Sequence, residues 1–459
     1  MTRHELPPGL SASAAAQGFR FFQNPLSFLD QCVEQFGDLF TIQFPGSRKQ
    51  VCLSNPEDLK EMYTGSPDLL HAGEAAGSVF SPLTGWNCTL TLDGEAHARR
   101  RELVQAPFRG GQVERHAGAM YAIATAAIER WPRTGRFPLQ PQMQDIALRI
   151  IFRTVLGLDD TAPGHARFLE LISQVARLGM GSKMLLIPAL RWDLGPLSPW
   201  GRIVRIVRDT DALLFAEIAR RRTDPKLATS EDVLSLLIRG EGQDGLRLTD
   251  QEIRDETVAL LIAGLETTAV ALTWVAERLM ALPEVRERLR AELEPLHTNG
   301  ELDVTRLSAL PYLDAVLKES LRNRSLSPIC GGRVLKAPMR LREYELPADT
   351  VLINSPYLLH RRRELYSEPD AFRPERFLGS PPSAHKWTTF GGGNRRCLGQ
   401  KFALLELKVV TSAMVLQTGL ELATPRVVPK ADGIHLVPAA GLPVRRGTCP
   451  FAKKAAAAS

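Results

Sequence analysis

The chain has 459 residues, 44% hydrophobic and 24% charged, an ordinary globular composition with ample core. Its formal charge is +6, and no nucleic-acid motif accompanies that excess of base; no DNA or RNA partner is expected, and a basic face toward an acidic protein is the more useful reading. The six cysteines, Cys32, Cys52, Cys88, Cys330, Cys397 and Cys449, include no Cys-x-x-Cys pair, which argues against zinc sites, iron–sulfur clusters and a secreted disulfide scaffold.

No long linker and no repeat of about 20–50 residues interrupts the chain, so one domain over residues 1–459 is expected. Met1 to Leu10 is polar and proline-bearing. No uncharged apolar run reaches ~18 residues, so neither a secretory signal nor a membrane anchor is expected, and the cytoplasm is the expected compartment.

In chain order, Leu39 to Phe44 and Gln50 to Leu53 predict two strands around Pro45-Gly46-Ser47, and Pro56 to Thr64 a short helix. Ala72 to Leu92, rich in Gly and Ser, reads as a long connection. His97 and Arg101, four apart, share a face if helical, a spacing that an ordinary exposed pair also has. Gln112 to Trp131 and Gln142 to Leu156 predict helices. Pro163 to Arg222 predicts two more, joined by an apolar connector with Met180, Met184, Leu185, Leu186, Ile187, Pro188, Leu190 and Trp192. Such residues are usually core; if exposed, they mark a ligand entrance or a membrane contact.

Thr249-Asp250-Gln251-Glu252 is a capping box opening a long helix to about Ala281, stopped by Pro283. Its middle is apolar all round, the mark of a buried helix. Glu266, Thr267 and Thr268 sit inside it. A carboxylate there is costly unless paired or solvated, which points to function. A threonine back-bonded to a carbonyl and bending the helix is the plainer alternative, and both can hold. Gly264 is read as leaving room for a flat cofactor. Glu319 and Arg322, i and i+3 on a helix over Leu310 to Arg324, can pair. Short strands are expected at 333–335, 339–342 and 351–354, a last hairpin over Val427 to Val444, and a disordered tail over 451–459.

The chemistry concentrates in Phe390-Gly391-Gly392-Gly393-Asn394-Arg395-Arg396-Cys397-Leu398-Gly399. Glycines let a backbone approach a flat group and take positive φ. A helix N-terminus and adjacent arginines lower a cysteine pKa, which favours the metal-ligating thiolate. A lone cysteine is more often a small buried hydrophobe, but here Phe390, Gly393, Arg395 and Gly399 stand at fixed offsets.

That loop resembles the haem-binding loop of the cytochrome P450 family, Phe-x-x-Gly-x-Arg-x-Cys-x-Gly. The resemblance covers roughly residues 35–446. It extends to Asp93-Gly94 with His97, Arg101 and Pro107-Phe108, to Ala263-Gly264-Leu265-Glu266-Thr267, to Glu319 with Arg322, and to Pro374-Glu375-Arg376-Phe377. It implies a mainly α fold with a smaller β region, the cytochrome P450 fold. It implies haem b with Cys397 as the axial iron ligand, propionates met by His97, Arg101, Arg333 and Arg395, and Glu266 and Thr267 managing proton delivery during oxygen activation. Ala263, Gly264, Phe390, Gly393 and Gly399 belong to the same cofactor site, and Glu319, Arg322 and Arg376 to a buried triad. Departures fall at Asn323-Arg324-Ser325, at Asp349, and at Arg362-Arg363, and bear on local turns.

The implied reaction is monooxygenation with O2 of a hydrophobic small molecule, of terpenoid, steroid or fatty acid class, as in cyanobacterial and myxobacterial members. A peroxide-using or peroxide-rearranging enzyme on the same fold is one rival, against which Glu266-Thr267 argues. A non-catalytic haem-based ligand binder is another. No Gly-x-Gly-x-x-Gly follows a strand, so electrons must come from a separate ferredoxin or flavodoxin with its NAD(P)H-dependent reductase. Arg99 or Arg100, Arg396, Lys401 and Lys408 are the expected docking charges. A monomer is expected.

Overall fold

The computed structural model describes residues 6–447 except residues 109, 159–164, 182–184, 186–190, 196, 243–244, 246, 299–300 and 380–382. The expected tail at 451–459, Cys449 and most of the apolar connector therefore lie outside the described residues; of that connector Leu185 is buried and Trp192 is exposed. Helices α1 (Ala14–Gln23) and α2 (Pro25–Phe36) meet at Asn24, whose side chain caps α2 while Pro25 starts it. Strands β1 (Leu39–Ile42) and β2 (Gln50–Leu53) pair antiparallel, Phe40 opposite Cys52. Asn55 caps α3 (Pro56–Thr64).

The sheet that begins with β1 and β2 is completed by late parts of the chain. It runs β1-β2-β10-β7-β3, with β3 (Leu70–His71), β7 (Cys330–Leu335) and β10 (Val351–Asn354). β10 lies parallel to β2, Val351 opposite Gln50, and antiparallel to β7. Between them β8 (Met339–Leu341) and β9 (Tyr344–Leu346) form a hairpin whose second strand the sequence did not announce.

The rest is mainly helical, as expected: α4 (Ala72–Thr84), α5 (Gly94–Gln105), α6 (Ala117–Arg130), α7 (Gln140–Leu156), α8 (His165–Gly181), α9 (Pro199–Arg222), α10 (Val233–Arg239), α11 (Asp250–Ala281), α12 (Pro283–Leu293), α13 (Pro311–Asn323), α14 (Pro356–Leu359) and α15 (Gln400–Gln417). The smaller sheets are β5 (His297–Thr298) with β6 (Glu301–Leu302), β12 (Pro429–Asp432) with β13 (His435–Pro438), and a three-stranded sheet in which β14 (Pro443–Gly447) lies between β4 (Arg136–Pro138) and β11 (Gly419–Leu422). The axis is α11, opened by the capping box as predicted. It packs against α7, α8, α13 and α15. By length and composition α11 could cross a membrane, but 78% of its apolar window is buried inside the fold, which makes it a core helix.

Two helix bounds differ from expectation. The supposed connection over 72–92 is helical to Thr84. The Asp93 carboxylate accepts the N–H groups of Gly73 and Glu74 at 2.7 Å each, capping α4 from outside its own sequence. Pro82 removes the partner of the Ser78 carbonyl, and Arg191 donates to that carbonyl instead at 2.7 Å. The helix expected from Gln112 starts only at Ala117, after a 3-10 turn over Glu114–His116.

The departures at turns are absorbed locally. Asp349 takes φ +65°, the conformation a glycine would adopt freely. Asn323 is buried and donates to the Asp370 carbonyl at 3.2 Å. Arg362 binds Asp38 at 2.8 Å, tying α14's exit to the start of the sheet.

Candidate active site

The cysteine loop folds back on itself before α15 begins. The Cys397 N–H donates to the Phe390 carbonyl at 2.8 Å, and Arg396 N–H to Gly393 at 3.1 Å. Gly393 has φ +62°, and a Cβ there would stand 1.9 Å from the Tyr63 carbonyl oxygen of α3. A Cβ at Gly392 would strike the Tyr63 ring. These glycines allow the loop to pack closely on α3. Cys397 is accessible, yet protein crowds around it as around a core residue. Burial raises its pKa, against the pull of the Gly399 N–H and of Arg101 and Arg396. The expectation of a thiol lowered by its surroundings is therefore corrected: desolvation wins, and a metal would be needed to hold the thiolate.

A cationic cluster stands beside the loop. Arg395 donates to the Thr89 carbonyl at 3.0 Å, to the Leu92 carbonyl, and to Asp93 Oδ1 at 2.6 Å. Arg333 is buried and bonds only to the carbonyls of Gly331 and Gly332 among the described hydrogen bonds. Arg101 donates to the Arg396 carbonyl at 2.6 Å and shares an α5-facing cleft with His97 and Asn394. His97 is buried, and its Nε2 has no hydrogen-bond partner. Burial, then Arg395 and Arg101, hold its pKa down to about 4. Among the described residues Arg395 pairs with the Asp93 carboxylate, Arg101 and Arg333 bond only carbonyls, and a buried imidazole nitrogen lacks a partner. Two propionates would supply what the cluster lacks, so the residues present fit a haem.

The opposite wall comes from α11. Most of that helix is buried, but Leu260, Ala263, Gly264 and Thr267 are more accessible than their neighbours. Their spacing puts them on one face. The Thr267 hydroxyl donates to the Ala263 carbonyl at 2.6 Å. Gly264 stands at the edge of this stripe; a Cβ on it would lie 2.5 Å from Cδ1 of Ile151 in α7. Its missing side chain makes room for α7. Glu266 faces elsewhere. It is buried, takes two bonds from Gln144 of α7 at 2.9 and 3.2 Å, and borders a cleft of about 420 Å³ with Arg177, Asp432 and His435. Burial raises its pKa, opposed by Gln144 and Arg177.

The family model for cytochrome P450 matches residues 6–437. The chain belongs to the cytochrome P450 family. It is 36% identical over 442 residues to cytochrome P450 135B1 of Mycobacterium bovis, covering 96% of this chain and 91% of that one. It is 31% identical over 450 residues to cytochrome P450 137 of Mycobacterium tuberculosis, covering 96% and 90%. In fold it is similar to a retinoic acid-bound cyanobacterial CYP120A1, with a TM-score of 0.84 at 24% identity over 96% of this chain and 99% of the other. As a P450 it is a monooxygenase with a haem iron, using O2, a small-molecule substrate and electrons from a redox partner.

The P450's surface corrects part of the docking expectation. Arg100 is buried, binding the Asn87 carbonyl and Glu252 of α11. Lys408 is also buried, 2.9 Å from Asp314 of α13. Both charges are consumed inside the fold and cannot meet a partner. Lys401 and Arg396 are exposed beside Cys397, and Arg99 is exposed but paired with Glu95. Sequence reading did not single out Thr89, Asp93 as a partner of Arg395, Gln144 or Tyr63. Asp93 alone carried a signal, as the first residue of the Asp-Gly-x-x-His pattern.

Proposed function

We propose that this P450 binds haem b as a single-domain, monomeric, cytoplasmic haem-thiolate monooxygenase acting on a hydrophobic small molecule of terpenoid, steroid or fatty acid class. Retinoic acid, named for the cyanobacterial structure, is an apolar acid of comparable kind. The observation that carries the reading is the accessible Cys397 at the end of its loop, with the partnerless Nε2 of His97 and the three arginines nearby.

Cys397 would hold the haem iron, and His97, Arg101, Arg333 and Arg395 would hold the propionates. Phe390, Gly393 and Gly399 shape the loop that presents the sulfur, and Ala263 and Gly264 belong to the facing wall. When bound, the haem supplies the oxygen chemistry: one atom of O2 enters the substrate and the other leaves as water, with two electrons and two protons consumed. Thr267 presents a hydroxyl on the cavity face of α11. Glu266 takes protons from the cleft shared with Arg177 and His435 and passes them toward that face. Burial raises its pKa above the ordinary carboxyl value, which suits a group that holds and hands on a proton. Electrons come from a ferredoxin or flavodoxin with its NAD(P)H-dependent reductase.

The test is the reduced protein under CO. A strongly red-shifted Soret band is expected from thiolate ligation, and Cys397→Ser loses it. A mutant that keeps the band removes Cys397 from the assignment.

A further inference from the structure

The first half of α11 carries a knot of buried charge. Asp255 and Glu256 are essentially inaccessible, and both reach into the segment between α4 and α5. Asp255 Oδ2 accepts from the N–H and Nδ2 of Asn87 at 3.1 and 3.0 Å. A Cβ at Gly85 would stand 2.2 Å from that oxygen, so the contact is close packed. Glu256 Oε2 accepts from both the N–H and the hydroxyl of Thr89, at 2.7 and 2.9 Å. The carbonyl of the same Thr89 accepts from Arg395 at 3.0 Å. One residue therefore separates a carboxylate in α11 from an arginine two positions before Cys397.

We propose that Glu256 is a positioning residue for the haem: its charge state sets how firmly Thr89 is held, and through the Thr89 carbonyl how Arg395 is offered to the anionic edge of the cofactor. The proposal rests on Arg395 meeting a propionate and adds a residue remote from the cavity. A carboxylate accepts the two Thr89 bonds more strongly than a neutral acid does. The groups facing Glu256 are Thr89 and Cys88 from the loop, Arg100 from α5, and Asp255 and Glu252 from α11. Arg100 is shared with Glu252, and Asp255 is already bound to Arg254 at 3.0 Å. Burial pushes the Glu256 pKa up to about 7, opposed by Thr89 and Arg100 and helped by Asp255. With the folded pKa raised, Glu256 is protonated below that value and charged above it. The clamp on Thr89 tightens as pH rises through neutrality. The folded state, which pays for burying the charge, loses stability over the window from the ordinary carboxyl pKa to about 7.

The experiment compares the holoprotein with Glu256→Gln, which keeps the shape and one acceptor but cannot titrate, and with Thr89→Val, which removes one of the two donors. Two quantities are followed through neutral pH: hydrogen exchange of residues 85–93, corrected for intrinsic rate, and the ferric–ferrous midpoint potential. Wild type is expected to show several-fold faster exchange one unit below the transition than one unit above it, with a bend in potential at the same pH. Glu256→Gln flattens both. Thr89→Val displaces both to higher pH, because the lost hydroxyl had favoured the charged form. Identical pH profiles in wild type and Glu256→Gln overturn the proposal. So does a pH-dependent loop with a potential that ignores it, which breaks the link to Arg395. Neither result touches the Cys397 assignment, which stands on the CO band.

Discussion

The hydroxyl of Thr267 donates to the carbonyl of Ala263 at 2.6 Å, one turn earlier on the accessible face of α11. Back-bonding of this kind bends a helix slightly and leaves the hydroxyl oxygen free to accept. Thr267→Ala removes the hydroxyl without opening the core. Haem content and substrate binding are expected to persist, while product formed per NAD(P)H consumed falls about tenfold or more, as for loss of a positioned proton donor. Thr267→Ser keeps most of the coupling. Full coupling in the alanine variant would exclude Thr267 from proton delivery.

Glu319 and Arg322 lie fully inside α13's packing, joined by two bonds of 2.7 and 2.8 Å. Arg322 also donates to the His360 carbonyl at 2.8 Å, and Glu319 accepts the Arg373 N–H at 2.8 Å. Arg376 completes the triad more loosely, 3.5 Å from Glu319 with no hydrogen bond from its Nε. Glu319→Ala strands a buried guanidinium and is expected to cost about 3–5 kcal/mol. Arg376→Ala, which leaves Glu319 its closer partners, costs less. Urea unfolding of the two variants gives the order, and equal losses would mean that Arg376 is as integral as Arg322.

The sequence carried the elements whose physics is local. The α11 capping box, the proline stop and the pairing distance of Glu319 and Arg322 are all readable within a few positions. What it hid is set by contacts across the chain. Ala72 to Thr84 is helical because Asp93 caps it from the far side of the next segment. Arg100 and Lys408 look like surface charges until Glu252 and Asp314 are found beside them. The motif glycines announced a site, but their packing partners, Tyr63 and Ile151, lie on other helices.

Electron delivery now rests on fewer charges. Lys401 is exposed near Cys397 and makes no described ion pair, so Lys401→Glu is expected to slow reduction by an acidic ferredoxin several-fold at low salt. The difference shrinks as added salt shortens the screening length to about 8 Å at physiological strength. Dithionite reduction is unchanged. Arg100→Glu behaves differently: it sets a third carboxylate against Glu252 and Glu256 and lowers the yield of folded holoprotein. A salt-independent rate equal in wild type and Lys401→Glu would move the docking face elsewhere.

Gly264 allows the packing explanation to be separated from the cofactor one. A Cβ there meets the end of Ile151 at 2.5 Å, while the next contact on that side chain, Cγ1, is at 3.5 Å. Overpacking of this kind costs about 1–3 kcal/mol, and replacing a mid-helix glycine by alanine returns roughly 0.5–1 kcal/mol. Gly264→Ala is therefore expected to destabilise by about 0–2.5 kcal/mol. Ile151→Val deletes the colliding methyl and alone costs about 0.5–1.5 kcal/mol. In the double variant the clash is gone and the helix-propensity gain remains, so it should be more stable than Ile151→Val. The coupling between the sites should be about 0.5–3 kcal/mol. The CO band keeps its position in all three, because the added methyl points at α7. If Gly264→Ala instead displaces the band or sheds haem, and Ile151→Val restores neither, the glycine faces the cofactor and the packing account is wrong.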